Sequence, residues 1–180
     1  ILPQYKSVKV KLLTICRLDN TKRIDVLIES LKIFNKYEKN FVLIVAGNGP
    51  EKDYFESLVS SLNLENKIKF VGFINESDKY DYLCWADLFI SIDWADYTIT
   101  TIEALSLSTK CLVSSEREIE DKIIKTGLIY FTYPDAKTTS KKLLMITKQK
   151  DNFKKTNLKT VLKDYRWDIY CKNLLNSIYN

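Results

Sequence analysis

Short apolar runs alternate with longer amphipathic stretches along most of the chain. Val8 to Cys16 (VKVKLLTIC) predicts a strand, and Ile24, Leu27, Ile28, Leu31 and Phe34 then recur at helical spacing. Phe41 to Ala46 (FVLIVA) is a continuous β-branched run, the pattern of a strand covered on both faces. Gly47 to Pro50 breaks the chain, with Pro50 placed to open a helix that continues through Leu58, Val59 and Leu62. The alternation goes on with a strand at Ile68 to Gly72, a short helix at Lys79 to Trp85 and a strand at Leu88 to Ile92. A helix at Ile99 to Leu107, a strand at Cys111 to Ser114, a helix at Glu116 to Lys125 and a strand at Gly127 to Phe131 follow. From Ala136 onward the period is helical only, and Trp167, Tyr170, Cys171, Leu174 and Ile178 share one face of a final helix.

Strands that alternate with helices of this length form βαβ units, so their sheet is parallel. Right-handed crossovers place the helices on both faces. The expectation is therefore an α/β chain, a Rossmann-like three-layer α/β/α sandwich on a parallel sheet of about six strands, with residues 1–180 in one domain. Such sheets bind ligands beyond the C-terminal ends of their strands, where helix N-termini favour phosphate.

Composition narrows the chemistry. The chain has 180 residues, 46% hydrophobic and 28% charged, a balance that supports a buried core. No apolar run approaches the ~18 residues of a membrane-spanning helix, and ILPQYKSVKVK does not read as a secretory signal. Histidine is absent, which removes imidazole-dependent nucleophiles and metal sites. Cys16, Cys84, Cys111 and Cys171 are widely spaced among apolar neighbours, as expected of reduced, structural cysteines in a cytoplasmic protein. Gly47 and Gly49 supply two positions of a G-x-G-x-x-G turn, but Lys52 occupies the third, and no P-loop is present. Dinucleotide binding and P-loop ATP hydrolysis are both disfavoured.

Charge is uneven. Residues 1–136 hold 17 basic and 20 acidic side chains, whereas the last 44 residues hold 11 basic and 3 acidic. A solvated helical face accounts for such a segment, and so does contact with an anionic membrane. Basic and aromatic residues do not interleave as a base-stacking surface would need, so no nucleic acid partner is expected.

Four segments, in order, carry a more specific signal: TICRLDNTKRIDVLIESLKIF, FVLIVAGNGPEKDYFESLVSSL, KIKFVGFINESDKYDYLCWADLFISI and TTIEALSLSTKCLVSS. In this order and spacing the chain resembles the C-terminal, donor-binding domain of the GT-B retaining glycosyltransferases, from about residue 10 to the end. The resemblance implies transfer of a sugar from a nucleotide-diphospho-sugar to a glycan or lipid-linked acceptor, without a metal or other cofactor. Arg17 and Lys22 would stabilise the leaving diphosphate as two fixed cations. Glu103 would accept hydrogen bonds from the donor's ribose hydroxyls, a role for an ionised carboxylate. Backbone N–H groups of Tyr97, Thr98 and Ile99 would cradle the diphosphate. Gly47 and Gly49 would leave room for the nucleotide, and Phe73 and Ile74 lie where the family holds the base.

The pattern is not complete. The family's second glutamate, eight residues before the position of Glu103, is Ala95 here. Asp93 and Asp96 flank it, and Asp96, beside Tyr97, is the better replacement as a catalytic carboxylate. Asp96 and Thr98 also stand where the family has glycines, Cys16 replaces the glycine before Arg17, and Ser108 with Lys110 replaces a Gly-x-Pro turn. The acceptor-binding N-terminal domain of a GT-B enzyme has no counterpart in these 180 residues. The chain is thus expected to be a fragment that binds donor but transfers nothing alone, with residues 137–180 reaching toward the missing domain. Its setting would be polysaccharide or glycolipid assembly in the cytoplasm, at the inner membrane face. Two other readings are a binding module that has lost catalysis, which Ala95 favours, and a receiver-like signalling domain. The latter needs acidic strand ends, where this chain has Arg17 and Lys22.

Overall fold

The computed structural model describes residues 3–94 and 99–149. Six strands, β1 (Val10–Ile15), β2 (Phe41–Ala46), β3 (Ile68–Gly72), β4 (Leu88–Ser91), β5 (Lys110–Ser114) and β6 (Ile129–Thr132), form one sheet in the order β3-β2-β1-β4-β5-β6. Every pairing is parallel. Six helices connect and follow the strands: α1 (Ile24–Phe34), α2 (Lys52–Ser61), α3 (Glu76–Trp85), α4 (Ile99–Ser106), α5 (Asp121–Ile124) and α6 (Ala136–Lys148).

Strand side chains alternate between two apolar layers, as the two-residue period of a pleated sheet requires. Leu12, Leu43, Val45 and Ile90 join Leu27, Leu31, Phe55 and Leu143 from α1, α2 and α6. Leu13, Val42, Ile44 and Phe89 join Leu83, Ala104, Leu105 and Ile123 from α3, α4 and α5. Both faces are covered, which is why Phe41–Ala46 has no polar residue: all six of its side chains are buried. The three-layer Rossmann-like architecture is the one the alternation predicts.

Three local differences have physical causes. The first helix turn of α3 starts at Glu76, earlier than its apolar spacing suggests, because Asn75 caps it by accepting from the Asp78 N–H at 2.8 Å. The stretch expected to be helical from Glu116 is helical only over Asp121–Ile124. Glu116 and Arg117 are instead turned toward charged partners, Arg23 at the start of α1 and Asp93 in the loop after β4, described below. Ser108, at the glycine position of the expected Gly-x-Pro turn, adopts the left-handed conformation at φ 63° that a glycine would take more easily. Of the segment expected to reach toward another domain, α6 packs on α1, with Leu143 and Ile146 buried, and residues 150–180, including Trp167, lie outside the described residues.

Candidate functional site

Strand order reverses between β1 and β4. The chain leaves β1 for α1 on one face of the sheet and leaves β4 for α4 on the other, so the two loops open a crevice at the C-terminal edge. The loop after β1 carries Arg17 and Lys22. Asp19 shapes it by accepting from the Thr21 N–H at 3.0 Å, which caps a short 3-10 turn over Asn20–Lys22. That Thr21 hydrogen bonding also holds the Asp19 carboxyl below its ordinary pKa. Arg23 then takes a left-handed conformation, φ 53°, that turns the chain into α1.

The two cations of this loop stand in different surroundings. Arg17 has 73% of its side chain exposed and only a loose contact with Asp19, Nε to Oδ2 at 3.7 Å. Its donors are open to a ligand. Lys22 is more enclosed, with Nζ donating to Asp93 Oδ2 at 3.0 Å. Asp93, just beyond β4, is 3% exposed and also pairs with the buried Arg117 from the loop after β5. Arg117 further donates through Nε to the Asp93 carbonyl at 3.0 Å and through Nη2 to Ser91 Oγ at 2.9 Å. Burial pushes the Arg117 pKa down to about 10, the cost of desolvating a cation. Beside this triad, Arg23 pairs with Glu116 and donates to the Ile92 carbonyl at 3.3 Å, and its hydrogen bond is the main cause of a lowered Glu116 pKa. Arg17, Lys22, Arg23 and Arg117 stand here against the carboxylates of Asp19, Asp93 and Glu116, and of the four cations Arg17 is the most exposed.

The loop after β2 packs on the loop after β1. Leu18 donates to the Asn48 carbonyl at 2.9 Å, and Glu51 N–H donates to the Leu18 carbonyl at 3.0 Å. A Cβ on Gly47 would stand 1.8 Å from the Cys16 carbonyl oxygen, and one on Gly49 2.2 Å from that of Leu18. The room these glycines leave is thus filled first by the Arg17-bearing loop itself. Cys16 is enclosed there, and desolvation pushes its thiol up to about 11.

Beyond β3, the Phe73 ring is 80% exposed and Ile74 is half-buried. Glu103 lies one turn into α4. Its Oε1 accepts from Lys79 Nζ of α3 at 2.7 Å, while Oε2 is buried without a hydrogen-bond partner. A cavity of about 130 Å³ opens there, lined by Lys79, Tyr80, Leu83, Glu103 and Ser106. Ile99 opens the described part of α4 with an exposed side chain, whereas Asp96, Tyr97 and Thr98 lie outside the described residues. A wider cavity of about 390 Å³ sits at the opposite edge of the sheet, among Val10, Asp87, Leu88 and Lys110, and carries none of these residues.

The structure therefore brings Arg17, Lys22, Gly47, Gly49, Phe73, Ile74, Ile99 and Glu103 to the C-terminal edge of one sheet. Sequence reasoning missed Arg23, Lys79, Glu116 and Arg117. The partners that bring them to the site, Glu116 for Arg23, Glu103 for Lys79 and Asp93 for Arg117, are 24 to 93 positions away along the chain, so local spacing carries no sign of them. Among the described residues no group of three or more acidic or cysteine side chains is arranged to hold a metal.

The family model for glycosyl transferases group 1 matches residues 4–160. The chain belongs to that family. Among curated relatives, alpha-monoglucosyldiacylglycerol synthase of Acholeplasma laidlawii is 26% identical over 114 residues, 63% of this chain and 28% of the relative. Among solved structures, the C-terminal domain of a glycosyl transferase group 1 family protein from Francisella tularensis superposes with a TM-score of 0.73. It is 18% identical, and the match covers 91% of both chains. Anabaena HepE, solved with UDP and glucose, gives a TM-score of 0.72 at 16% identity over 99% of this chain and 50% of that one. The chain spans about a quarter to a third of the length of the curated relatives it matches. Its fold is that of a group 1, GT-B C-terminal domain.

Proposed function

We propose that this chain is the donor-binding domain of a retaining glycosyltransferase that uses a nucleotide-diphospho-sugar without a metal. The observation that carries the reading is the cationic β1–α1 loop at the reversal of strand order, with Arg17 open to a ligand and Lys22 beside it. Nucleotide and sugar bound to the Anabaena neighbour support the ligand class. Phe73 and Ile74 flank the base, the buried free oxygen of Glu103 accepts from the ribose, and backbone N–H groups of residues 97–99 hold the diphosphate.

In the reaction, the bond between the anomeric carbon and the phosphate oxygen breaks, and the acceptor hydroxyl bonds to that carbon on the same face. The departing phosphate oxygen is then the nearest base for the hydroxyl proton. Charge grows on the diphosphate as the bond breaks, and the cations of Arg17 and Lys22 stabilise it there. The acceptor, a glycan or lipid-linked alcohol, is held by a further domain, and the lipid product named for the Acholeplasma relative supports the lipid option. Among the described residues no helix is long and apolar enough to cross a membrane. The basic last 44 residues are suited to an anionic membrane surface at its cytoplasmic side.

Proton NMR of the anomeric signal during turnover tests the mechanism. The product keeps the donor's anomeric configuration, and an inverted product contradicts the reading. The chain alone binds donor without transferring it, and transfer by the chain alone contradicts an acceptor site outside it.

A second reading, a binding module without catalysis, is favoured by Asp93. Its carboxylate, two residues from Ala95, is committed to Lys22 and Arg117 and does not replace the absent glutamate. Asp96 is then the remaining candidate, and unchanged turnover in Asp96→Asn denies it a catalytic role.

A further inference from the structure

We propose that Lys79 is a positioning residue for donor recognition: it anchors one oxygen of Glu103 so that the other faces the ribose hydroxyls. The inference rests on the donor-site reading of Glu103 and adds a residue from a different helix to it.

A carboxylate has two acceptor oxygens, and the two oxygens of Glu103 differ. Lys79 Nζ fills Oε1 at 2.7 Å, whereas Oε2 is buried and has no partner. A buried acceptor left unpaired costs free energy unless a ligand supplies the missing donor, so this asymmetry points to a ligand rather than to a structural pair. The adjoining cavity of about 130 Å³ has space for several water molecules or a small polar group.

Lys79 is held as firmly as the residue it holds. Its side chain is 16% exposed, and a second bond from Nζ to Glu76 Oε2 at 2.6 Å ties it to the first turn of its own helix. Burial disfavours its charge, but the hydrogen bonds to Glu103 and Glu76 outweigh that and raise its pKa, so the ammonium persists throughout the neutral range. Asn75 caps the same helix two residues after Phe73. The β3–α3 segment thereby presents an exposed aromatic ring and, six residues later in the first turn of α3, the lysine that orients Glu103. Contact with the base and the positioning of Glu103 thus come from a single segment, while Glu103 itself, on α4, meets the ribose.

Lys79 is not a catalytic residue in this account, since it touches Glu103 and not the reacting atoms. Its effect is read in discrimination between ribose and a sugar that lacks the hydroxyls. The experiment compares binding of UDP, GDP and ADP with their 2′,3′-dideoxy counterparts by calorimetry, using the base that binds most tightly. The protein is tested as wild type, Lys79→Met, Lys79→Arg and Glu103→Ala. Hydrogen bonds to a charged acceptor are worth about 10- to 100-fold in affinity, so wild type prefers the ribonucleotide by that ratio. Lys79→Met reduces the ratio to within about threefold, Lys79→Arg retains most of it, and Glu103→Ala abolishes it. Because the readout is a ratio within one variant, a general loss of stability does not imitate it. A full ratio in Lys79→Met alongside loss in Glu103→Ala overturns the role of Lys79 and leaves that of Glu103 standing. No ratio in wild type, or an unchanged one in Glu103→Ala, overturns the ribose reading and this inference with it.

Discussion

Replacing Arg117 by leucine tests whether the buried triad holds the crevice together. The substitution removes the ion pair to Asp93 and the bonds to the Asp93 carbonyl and Ser91 Oγ, at 3.0 and 2.9 Å. It leaves a carboxylate only 3% exposed with Lys22 as its remaining partner. Breaking one side of a buried pair costs about 3–5 kcal/mol, and the surviving Lys22 contact sets the expectation at the lower end, about 3 kcal/mol. In a domain of this size that lowers Tm by roughly 6–12 °C. Asp93→Leu costs about as much, since it strands a guanidinium that has 2% of its side chain exposed. The double variant Asp93→Leu/Arg117→Leu strands neither the carboxylate nor the guanidinium and leaves only Lys22, 23% exposed, without its partner, so its loss falls short of the summed single losses by about 2 kcal/mol. Urea denaturation followed by far-UV circular dichroism, with equal m-values across the four proteins, measures the cycle. Single losses that add to within about 0.5 kcal/mol would refute the coupling and, with it, the claim that Asp93 is held rather than free.

Gly47→Ala costs more than about 3 kcal/mol, because φ 129° is strained for alanine and its Cβ meets the Cys16 carbonyl. Gly72→Ala meets nothing within 4 Å and pays only the left-handed penalty of about 1–2 kcal/mol, so thermal denaturation should rank the two, and equal losses would deny the packing of the two loops. Iodoacetamide at pH 7.5 should modify the exposed Cys84 well before Cys16, whose enclosed thiol is pushed up to about 11, and peptide mass spectrometry reads the order. Asn75→Ala removes the cap of α3 at a cost of about 1 kcal/mol, and hydrogen exchange should rise first in residues 76–79, with no local change counting against the cap.

The fold was legible because its signals are local. Phe41–Ala46 is an apolar run bounded by Asn40 and Gly47, Ile68–Gly72 is a short β-rich stretch closed by Gly72, and the strands occupy those bounds. The β1–α1 loop was legible for the same reason, since Arg17 and Lys22 lie within one short segment. The helix expected from Glu116 is confined to α5 because its helical spacing competes with tertiary bonds: Arg117 is drawn inward to Asp93 and Glu116 to Arg23. Lys79 escaped notice because a lysine on an amphipathic helix looks solvated until α4 brings Glu103 against it. Charge pairs formed across strand ends leave no periodic trace.

The central claim is that the cationic loop binds the diphosphate of a nucleotide sugar. Isothermal titration of UDP, GDP, ADP, CMP and dTDP, each with its sugar conjugates, into wild type and Arg17→Ala tests it most directly. One base is expected to bind, with affinity at least about tenfold weaker in Arg17→Ala, the loss of a hydrogen bond between charged groups. Equal affinity in both proteins, or no binding of any nucleotide to wild type, would contradict it.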